Sequence, residues 1–395
     1  MNHLIQAHEL QEEALDHILR DLAVEAFSAR FEIAPNPCVG AAVLSRGRIV
    51  AKGIHRFWGG PHAEVEALSR AAASMTPKES WDTLVVTLEP CSSTGKTPPC
   101  VEAVLASGIK HVVIGALDPD PRHRGQAVEI LRAAGVEVTL LEPKLGPDYA
   151  WGLPDISQHF LNWNSSERLR RPRPWNIAKW AQTRTGQLIP PQKVGEGRWI
   201  SGPTSLAEVQ LLRGRVDAIL TGYGTVRDDD PRLSVRAPGD ASSPPLRVVF
   251  DSYLHTPPDA RLFAPIDSSA AAAGLEAAGP VVIFTRPGPD AKRARSLLEV
   301  GAEIVALPPD DNGQLSLWAA SAWLWNRGVR RTLLEAGPTL IQSYSDHDLL
   351  DQVRVYSGDV AGGRGASLGR LLSEHRQNAR VDRESGSDVV LEYFL

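Results

Sequence analysis

The sequence contains little cysteine: Cys38, Cys91 and Cys100 are the three in 395 residues. So small and odd a number excludes a disulfide framework and favours a reducing, cytoplasmic environment. Long apolar runs are also missing, because no stretch approaches the ~18 consecutive apolar residues of a membrane-spanning helix. The N-terminal segment has acidic residues throughout and no apolar core, so we expect no signal peptide.

An excess of positive charge is absent as well: 42 Lys and Arg face 47 Asp and Glu, which gives a net charge of -5 at pH 7. No overall basic field is available to hold a polyanion, so neither nucleic acid nor a membrane surface is an expected partner. Hydrophobic residues make up 43% and charged residues 23% of the chain, as in globular proteins. This composition supplies a core for each of two domains.

Strand-like and helix-like patterns alternate in both halves of the chain, which predicts two α/β domains. Strands are predicted at 39–44, 49–51, 83–88, 111–116, 136–141, 177–181, 218–221, 248–251, 281–285, 304–307, 332–335, 353–356 and 389–394. Helices are predicted at 7–29, 63–73, 101–106, 128–134, 158–163, 205–213, 316–325 and 339–344. Because the alternation weakens between 143 and 174, we predict domains at 1–160 and 175–395, joined by an Arg- and Pro-rich linker at 161–174.

The most specific motif combines His62 and Glu64, two residues apart, with Cys91 after a proline and with Cys100. A catalytic zinc takes three protein ligands and keeps one position for water, and an imidazole with two thiolates supplies those three. A His-x-Glu motif followed by Pro-Cys and a second cysteine is the signature of zinc deaminases. The eight residues between the cysteines are more than the general form of that signature has. Cys100 precedes the helix predicted at 101–106, whose positive end favours a thiolate.

These residue types imply hydrolytic deamination. Zinc lowers the pKa of a coordinated water, which makes hydroxide available near neutral pH. Glu64 lies in the same helical turn as His62, where it takes up that proton and returns it to the departing amine. A metabolite-binding module with a structural zinc is an alternative from another class, although such a zinc normally has four ligands. A tRNA-editing deaminase is a further alternative, which the acidic charge balance disfavours.

Five motifs of the first half together resemble a known family. They are 35–40 (PNPCVG), 53–55 (GIH), 61–64 (PHAE), 87–91 (TLEPC) and 95–100 (GKTPPC). The set is similar to the deaminase half of the bifunctional riboflavin-biosynthesis deaminase/reductase family, which has the same long spacer between its cysteines. The resemblance implies a cytidine-deaminase-like three-layer domain in which His62, Cys91 and Cys100 hold zinc. It also implies that Glu64 is the proton shuttle and that Asn36 contacts the pyrimidine.

The second half lacks the Gly-x-Gly-x-x-Gly fingerprint of a Rossmann dinucleotide site, but glycine-containing turns follow two predicted strands, at 220–225 and 334–339. Such turns place backbone N–H groups at a helix N-terminus, where they can bind phosphate. Four motifs resemble the reductase half of the same family. They are 195–201 (GEGRWIS), 210–213 (QLLR), 229–231 (DDP) and 335–340 (EAGPTL). The resemblance implies a dihydrofolate-reductase-like α/β domain that uses NADPH.

The same resemblance assigns residues to the two ligands of the reductase domain. The NADPH-binding residues are expected to be Trp199, Thr225, Asp229, Ser252, Gly337, Pro338 and Thr339. The residues that hold the ribosyl phosphate substrate are expected to be Arg213, Leu233, Arg236 and Glu335. Two arginines suit a phosphate because each planar guanidinium can bind it through two hydrogen bonds.

The chain also departs from the family pattern in both halves. The departures are Ser93, Thr94 and Asp120 in the deaminase half and Thr185, Gln187 and Gly197 in the reductase half. Thr185 stands where the family has an aspartate, so a charge beside the nicotinamide and substrate pocket is lost. One alternative is therefore a zinc deaminase with an inactive or altered reductase domain and a different nucleobase substrate.

The resemblance thus implies an enzyme of riboflavin biosynthesis with two consecutive activities. The first is zinc-dependent hydrolytic deamination of 2,5-diamino-6-ribosylamino-pyrimidinone 5'-phosphate, and the second is NADPH-dependent reduction of the ribosyl group to ribityl. The expected partners are this small-molecule pyrimidine phosphate and, by the resemblance, further copies of the chain in a homo-oligomer.

Overall fold

The computed structural model describes residues 12–141, 153–192, 200–236, 243–365, 367–374 and 381–395. Contacts between residues divide the chain into two compact units, Met1–Arg170 and Arg171–Leu395. Among the described helices, none combines the length and the apolar character needed to span a bilayer.

The first unit contains a five-stranded sheet and seven helices in its described part. Its strands are β1 (Gly40–Ser45), β2 (Arg48–Ile54), β3 (Thr83–Leu88), β4 (His111–Ala116) and β5 (Glu137–Leu140). Its helices are α1 (Glu12–Phe27), α2 (Arg30–Ile33), α3 (Ala63–Ala72), α4 (Cys100–Ser107), α5 (Gln126–Ala133), α6 (Leu153–Trp163) and α7 (Ser166–Arg170). The strand order is β2-β1-β3-β4-β5, in which β3, β4 and β5 are parallel and β1 is antiparallel to both of its neighbours.

Successive residues of the first sheet face opposite helix layers, as the period of two in a strand requires. Ala41 and Val43 of β1 pack in one core cluster with residues of α3, α4 and α5. Ala42 and Leu44 pack in another cluster with residues of α1. The sheet is therefore the middle of three layers, with helices packed on both of its faces, as the family resemblance implies.

Gly53 of β2 lets this strand pass directly against α3. A Cβ atom added at Gly53 would lie 2.3 Å from the backbone nitrogen of Ala67 and 2.5 Å from the carbonyl oxygen of Ala63. Any larger residue would therefore displace α3, and the N-terminal end of α3 carries two of the predicted site residues, His62 and Glu64.

The second unit contains a nine-stranded sheet, a two-stranded ribbon and seven helices in its described part. Its strands are β6 (Trp175–Gln182), β7 (Ala218–Gly222), β8 (Val235–Arg236), β9 (Leu246–Phe250), β10 (Glu276–Ala277), β11 (Val281–Thr285), β12 (Ala302–Ala306), β13 (Arg331–Leu334), β14 (Gln352–Ser357), β15 (Val381–Ser385) and β16 (Asp388–Phe394). Its helices are α8 (Pro203–Gly214), α9 (Tyr223–Asp229), α10 (Ser268–Ala272), α11 (Ala291–Glu299), α12 (Leu317–Asn326), α13 (Pro338–Asp346) and α14 (Gly369–Glu374).

The large sheet has the order β12-β11-β9-β7-β13-β6-β14-β16-β15. Its first seven strands are parallel, whereas β16 pairs antiparallel with both β14 and β15. Core clusters lie on both of its faces: Val248 and Phe250 of β9 belong to one, and Val249 belongs to the other. All the parallel strands end at the same edge, which is where ligands bind in open α/β sheets.

Several elements are absent from the sequence-based prediction. They are α2, α7, α9, α11, α14, β8, β10 and β15. Helix α10 lies in the Ala-rich stretch 268–278, for which the sequence pattern allows either a surface helix or a loop. Helix α11 illustrates the reason: its AKRARSLLE sequence buries only Leu297, so it has almost no apolar stripe to detect. Its start is set by the side chain of Asp290, which accepts a hydrogen bond from the backbone N–H of Arg293.

The predicted linker at 161–174 contains the last residues of α6 and the short helix α7. The guanidinium of Arg168 stacks over the Trp163 ring, with 4.7 Å between its Cζ atom and the ring centroid. The Arg- and Pro-rich run is also not fully solvated, because Arg173 is buried. Its Nη1 and Nη2 atoms donate to the two carboxylate oxygens of Asp351 at 2.7 and 3.0 Å.

Loss of the Asp351 carboxylate leaves the buried Arg173 guanidinium without its counter-charge. We expect Asp351→Ala to lower the free energy of unfolding by about 3–5 kcal/mol. Urea unfolding of the full chain, followed by tryptophan fluorescence, measures this loss. The control is Asp359→Ala, which removes an exposed ion pair with Arg184 at 3.8 Å and should cost less than about 1 kcal/mol. Equal losses in the two variants would contradict the structural role of Asp351.

Candidate active sites in the two units

The three predicted metal ligands stand at the ends of secondary-structure elements in the first unit. His62 is the N-cap of α3, Cys100 is the first residue of α4, and Cys91 follows the end of β3. The backbone N–H of Cys100 donates to the Cys91 sulfur at 3.2 Å, and that of Val101 donates to the Cys91 carbonyl oxygen at 3.2 Å. The start of α4 therefore holds the loop that carries Cys91.

The side chains of these residues converge on one point. His62 Nδ1 lies 3.1 Å from Cys100 Sγ and 3.5 Å from Cys91 Sγ, and the three atoms lie within 4.8 Å of one another. Tetrahedral zinc with nitrogen and sulfur ligands places such atoms roughly 3.5–4 Å apart, so the donor set and its spacing fit this ion. In the described part of the chain no fourth His, Cys, Asp or Glu completes the group, which leaves one coordination position for water.

The Cys91 sulfur is held in the form that binds a metal. A hydrogen bond from the Cys100 thiol lowers the pKa of Cys91 to about 4, against the opposing effect of burial. Hydrogen bonds from His62 and from the backbone of Cys100 act in the same direction. Because the thiolate is the metal-binding species, the lowered pKa of Cys91 favours coordination of a cation.

Glu64 is buried beside the three candidate ligands. It is the second residue of α3, and only 2% of its surface is exposed. Burial raises the pKa of its carboxyl group, while the neighbouring His62 opposes that rise. A carboxyl group with a raised pKa accepts and releases a proton near neutral pH more easily than an exposed one.

Asn36 lies in the same unit on the loop that precedes β1, and its side chain is oriented by His55. His55 Nδ1 lies 2.9 Å from the carbonyl oxygen of Pro61, which can only accept, so this nitrogen carries the proton. His55 Nε2 must then accept from the Asn36 side-chain Nδ2 at 3.1 Å. The amide of Asn36 is thereby fixed with its nitrogen towards His55. The His55 ring also packs edge-on against that of His62, with 5.0 Å between centroids.

The backbone of the same loop is held by α6. His159 Nε2 donates to the Asn36 carbonyl oxygen at 2.7 Å, and the Cys38 N–H donates to Ser157 Oγ at 2.9 Å. Burial lowers the pKa of His159 to about 4, so its imidazole is neutral at physiological pH. Burial also raises the pKa of the Cys38 thiol to about 12, which agrees with a structural role for this cysteine.

The residues of the first unit that depart from the family pattern lie on two loops. Ser93 and Thr94 are exposed on the loop between Cys91 and α4. Asp120 accepts hydrogen bonds from the guanidinium of Arg122, which lower the pKa of its carboxyl group. The loop around Asp120 is anchored by the buried Glu89 carboxylate, which accepts the backbone N–H groups of Asp118, Gly125 and Ala127.

In the second unit, two predicted cofactor residues, Gly337 and Thr225, meet at the edge where β7 and β13 end. The Gly337 N–H donates to Thr225 Oγ1 at 3.1 Å. Gly337 is the N-cap of α13, and Pro338 and Thr339 are its first two residues. This arrangement places the positive end of α13 beside the start of α9, as a phosphate-binding turn requires.

The other predicted cofactor residues are more dispersed. Ser252 follows β9 at the same edge, where its carbonyl oxygen accepts a hydrogen bond from Thr285 Oγ1 at 3.1 Å. Asp229 is exposed at the last position of α9. Trp199 and Gly197 lie outside the described residues, so their predicted places stay untested.

Two predicted substrate residues, Arg213 and Glu335, form an ion pair. Arg213 Nε and Nη2 donate to the Glu335 carboxylate at 2.6 and 3.0 Å, and Arg213 Nη1 donates to the Ser234 carbonyl oxygen at 3.1 Å. Lys179 of β6 adds a second cation, with its Nζ 3.5 Å from Glu335 Oε2. Each of the three charged side chains is only 13–14% exposed.

The two cations keep Glu335 ionised. Burial alone would raise the pKa of Glu335, but Arg213 and Lys179 lower it to about 2. For Lys179, burial lowers the pKa of the ammonium group and the Glu335 charge opposes that shift. The cluster therefore presents a permanent carboxylate at the end of β13.

The remaining predicted substrate residues lie on the segment after α9. Leu233 is buried and has a left-handed backbone with a φ of 51°, which an L-residue adopts only at some cost. Arg236 is exposed in β8, and its backbone N–H donates to Gln210 Oε1 at 2.8 Å.

Thr185 and Gln187 stabilise their own turn. Thr185 Oγ1 donates to Gln187 Oε1 and accepts the backbone N–H of Gly362 at 2.8 Å. Gly186 between them has a φ of 86°, which favours glycine. The turn is thus maintained without the aspartate that the family has in place of Thr185.

His55 and Lys179 are the site residues to which sequence reasoning gives no role. His55 stands within the GIH motif, but its contact with Asn36 is made across 19 residues. Lys179 carries a clearer signal: it is the single charged residue in the strand WNIAKWAQ, most of which is buried. Lysine is rarely buried unless it is paired, so an isolated one in an apolar strand indicates an acidic partner.

Comparison with known proteins assigns both units. Residues 15–116 match the zinc-binding region of cytidine and deoxycytidylate deaminases, and residues 174–375 match the RibD C-terminal domain. The first match covers His62, Cys91 and Cys100, and the second covers the reductase strands from β6 to β14. The predicted fold class, a cytidine-deaminase-like domain followed by a reductase-like α/β domain, is confirmed.

Curated relatives cover nearly the whole chain. The riboflavin biosynthesis protein RibD of Aquifex aeolicus is 33% identical over 363 residues, which span 90% of this chain and 92% of the relative. The RibD protein of Escherichia coli is 32% identical over 338 residues, which span 83% of each chain.

A solved structure has the same fold. A Thermotoga maritima protein described as a diaminohydroxyphosphoribosylaminopyrimidine deaminase/5-amino-6-(5-phosphoribosylamino)uracil reductase is 27% identical. Its structure covers 97% of this chain and 99% of its own, with a TM-score of 0.60. Zinc and NADPH, the two cofactors expected from the sequence, are those of the deaminase and the reductase in this family. The chain therefore belongs to the RibD family of riboflavin biosynthesis and contains both its zinc deaminase domain and its reductase domain.

Proposed function

We propose that the chain catalyses two consecutive steps on one pyrimidine phosphate. The first unit deaminates 2,5-diamino-6-ribosylamino-pyrimidinone 5'-phosphate, and the second reduces the ribosyl group of the product to ribityl with NADPH. The observation that carries this proposal is the convergence of His62, Cys91 and Cys100 beside the buried Glu64. The description of the Thermotoga maritima relative as a diaminohydroxyphosphoribosylaminopyrimidine deaminase and 5-amino-6-(5-phosphoribosylamino)uracil reductase supports this substrate.

In the first unit we assign the proton transfers to Glu64. Zinc, when bound by His62, Cys91 and Cys100, supplies Lewis-acid activation of water. Glu64 takes the proton of that water and passes it to the departing amino group, since a carboxyl group held beside the metal ligands can both accept and release a proton. Burial of Glu64 keeps bulk water from competing for this proton.

We assign recognition of the pyrimidine to Asn36, oriented by His55. With its nitrogen held by His55, the Asn36 amide offers its oxygen as an acceptor for an amino or ring N–H group of the substrate. His55 itself is a positioning residue in this proposal, because it acts through Asn36 and through the carbonyl group that precedes His62.

In the second unit we assign the ribosyl hydroxyl groups to Glu335 and the phosphate to Arg236 and Arg213. The permanent charge of Glu335 makes it a strong acceptor for hydroxyl groups. Arg213 donates three of its five N–H groups to Glu335 and Ser234, which leaves two N–H groups for a phosphate. NADPH would lie along Thr225, Ser252 and the α13 turn and supply the hydride.

We further propose that the enzyme acts as a homo-oligomer in the cytoplasm. The oligomeric state follows from the family resemblance, and the location follows from the low cysteine content. Light scattering on the purified chain tests the first of these proposals.

Mass spectrometry of the reaction products tests the function directly. Zinc-loaded protein is incubated with the diaminopyrimidine phosphate, with and without NADPH. We expect exchange of an amino group for oxygen in both samples and additional hydride uptake only with NADPH. Deamination alone would mean that Thr185 and its neighbours have disabled or altered the reductase domain. No change in a folded, zinc-containing sample would contradict the substrate.

Glu64→Gln tests the proton shuttle. The amide cannot carry the proton, so we expect the deaminase kcat to fall by about 10²–10⁴-fold while bound zinc stays at the wild-type level. Initial rates together with metal analysis measure the two quantities. Glu102→Gln, an exposed carboxylate in the first turn of α4, should leave both unchanged. A Glu64→Gln enzyme with wild-type kcat would exclude Glu64 as the shuttle.

A double-mutant cycle tests whether His55 acts through Asn36. We expect His55→Ala and Asn36→Ala each to lower the deaminase kcat/KM by about tenfold, the cost of one productive hydrogen bond. The double variant should be no worse than Asn36→Ala alone. His55→Gln, which keeps an acceptor for the Asn36 amide, should restore part of the loss. Losses that multiply in the double variant, at unchanged zinc content, would show that the two residues act independently.

A further inference from the structure

Helix α8 covers a face of the large sheet that carries charged side chains as well as apolar ones. In β14, Arg354 and Tyr356 are two residues apart, which places their side chains on the same face of the strand. Arg354 pairs in register with Lys179 of the neighbouring strand β6. Tyr356 packs in one cluster with Val209 of α8 and Val390 of β16. Its ring is therefore enclosed between α8 and the sheet.

The charged group that surrounds Arg354 is balanced in itself. Arg354 and Arg383 both donate to the carboxylate of Glu392, Arg383 at a distance of 3.4 Å. Arg383 also donates to the two carboxylate oxygens of Glu208 at 3.0 and 2.6 Å. Two guanidinium groups thus face two carboxylates. The cluster of Glu335 with its two cations, in contrast, has one positive charge in excess.

Tyr356 brings an aromatic ring to this unbalanced cluster. The Nζ atom of Lys179 lies over the ring, 5.9 Å from its centroid. An aromatic face attracts a cation at this distance, and the attraction is stronger where water is excluded. The Tyr356 hydroxyl is buried without a hydrogen-bond partner among the described residues. The ring, rather than the hydroxyl, is therefore what this side chain offers to Lys179.

The surroundings of Lys179 otherwise act largely against its positive charge. Burial lowers the pKa of its ammonium group, and the guanidinium of Arg213 on α8 lowers it further. Arg354, the partner of Lys179 in register on β14, is a further cation, although its own charge is paired within the balanced group. Glu335, beyond the end of β13, opposes the fall in pKa. The ring face of Tyr356 acts in the same direction as Glu335.

We propose that Tyr356 is a positioning residue of the reductase site, whose ring face keeps Lys179 in its ammonium form beside Glu335. The inference rests on the proposed function, in which this cluster binds the ribosyl phosphate. The charged Lys179 holds Glu335 ionised for the ribosyl hydroxyl groups and leaves one positive charge for the phosphate. With a neutral Lys179, Arg213 and Glu335 would cancel each other, and the phosphate would lose this electrostatic attraction.

Fluorination of the ring tests the contact with little change of shape. A phenylalanine with fluorinated ring carbons, introduced in place of Tyr356 by stop-codon suppression, lacks the negative ring face that attracts a cation. Lys179 loses its proton as the pH rises through its pKa, so a lower pKa removes the ammonium form from the alkaline side. We expect the pKa of Lys179 to fall by about one unit. Lysine-selective carbon NMR of the full chain measures it, with Lys179→Arg to assign the signal.

Tyr356→Phe keeps an unmodified ring and should retain the wild-type titration of Lys179. The matched control is the same fluorinated residue in place of Tyr344. This tyrosine is also buried, with a hydroxyl that has no partner in the described part of the chain, but it packs in the core cluster of Val355, on the opposite face of the sheet. The control should leave the titration unchanged. An unchanged pKa of Lys179 in the fluorinated Tyr356 variant would overturn the inference, as would equal shifts in the two fluorinated variants.

Initial rates of the reduction connect the contact with the activity and separate this inference from the proposed function. At saturating NADPH, the alkaline limb of the kcat/KM profile should move to lower pH in the fluorinated Tyr356 variant and stay in place in the Tyr344 control. A chain that reduces no pyrimidine ribosyl phosphate, although its Lys179 titration responds to fluorination of Tyr356, keeps the contact and loses the proposed substrate. A chain that performs the reduction with one pH profile in all variants loses the inference alone.

Discussion

The hydrogen bond from the Cys100 backbone N–H to the Cys91 sulfur joins the end of β3 to the start of α4, and the deaminase site depends on this junction. Strand β3 is buried along its whole length and α4 packs its apolar face in the same core, so neither element can move independently. The separation of the two sulfurs is therefore set by the packing of the unit. His62 reaches them from the start of α3, which Gly53 allows to lie directly against β2.

Around this junction, polar side chains are oriented by contacts that are distant in sequence. Asn36 is held at its side chain by His55 and at its backbone by His159, which belongs to α6. The loop that carries Asn36 is thus stabilised by α6. A deaminase fragment that ended before α6 would keep the metal ligands but lose the hydrogen bonds that His159 and Ser157 form with this loop. Holding the metal ligands and orienting Asn36 therefore depend on different parts of the unit.

The extent to which the sequence predicts these sites follows from how local each signal is. His62, Glu64, Cys91 and Cys100 lie in short motifs whose residue types identify the chemistry, and β3 and β4 coincide with the predicted strands at 83–88 and 111–116. The pairing of Arg213 with Glu335, 122 residues apart, has no such local signal. Helix α11 is missed because a helix on the surface has almost no apolar pattern. Since this helix is not predicted, the sequence also gives no indication that its residue Arg293 contacts Tyr253.

Buried charges in the second unit differ in what they contribute. The Arg173–Asp351 pair is buried within the chain and its groups satisfy one another and nearby backbone atoms, as expected of a structural ion pair. The Lys179–Glu335–Arg213 cluster has two cations for one carboxylate and stands where β13 ends, beside Gly337 and its contact with Thr225. Burying an excess cation costs stability unless another anion compensates for it. In the proposed function, the phosphorylated substrate would bring that anion to the cluster.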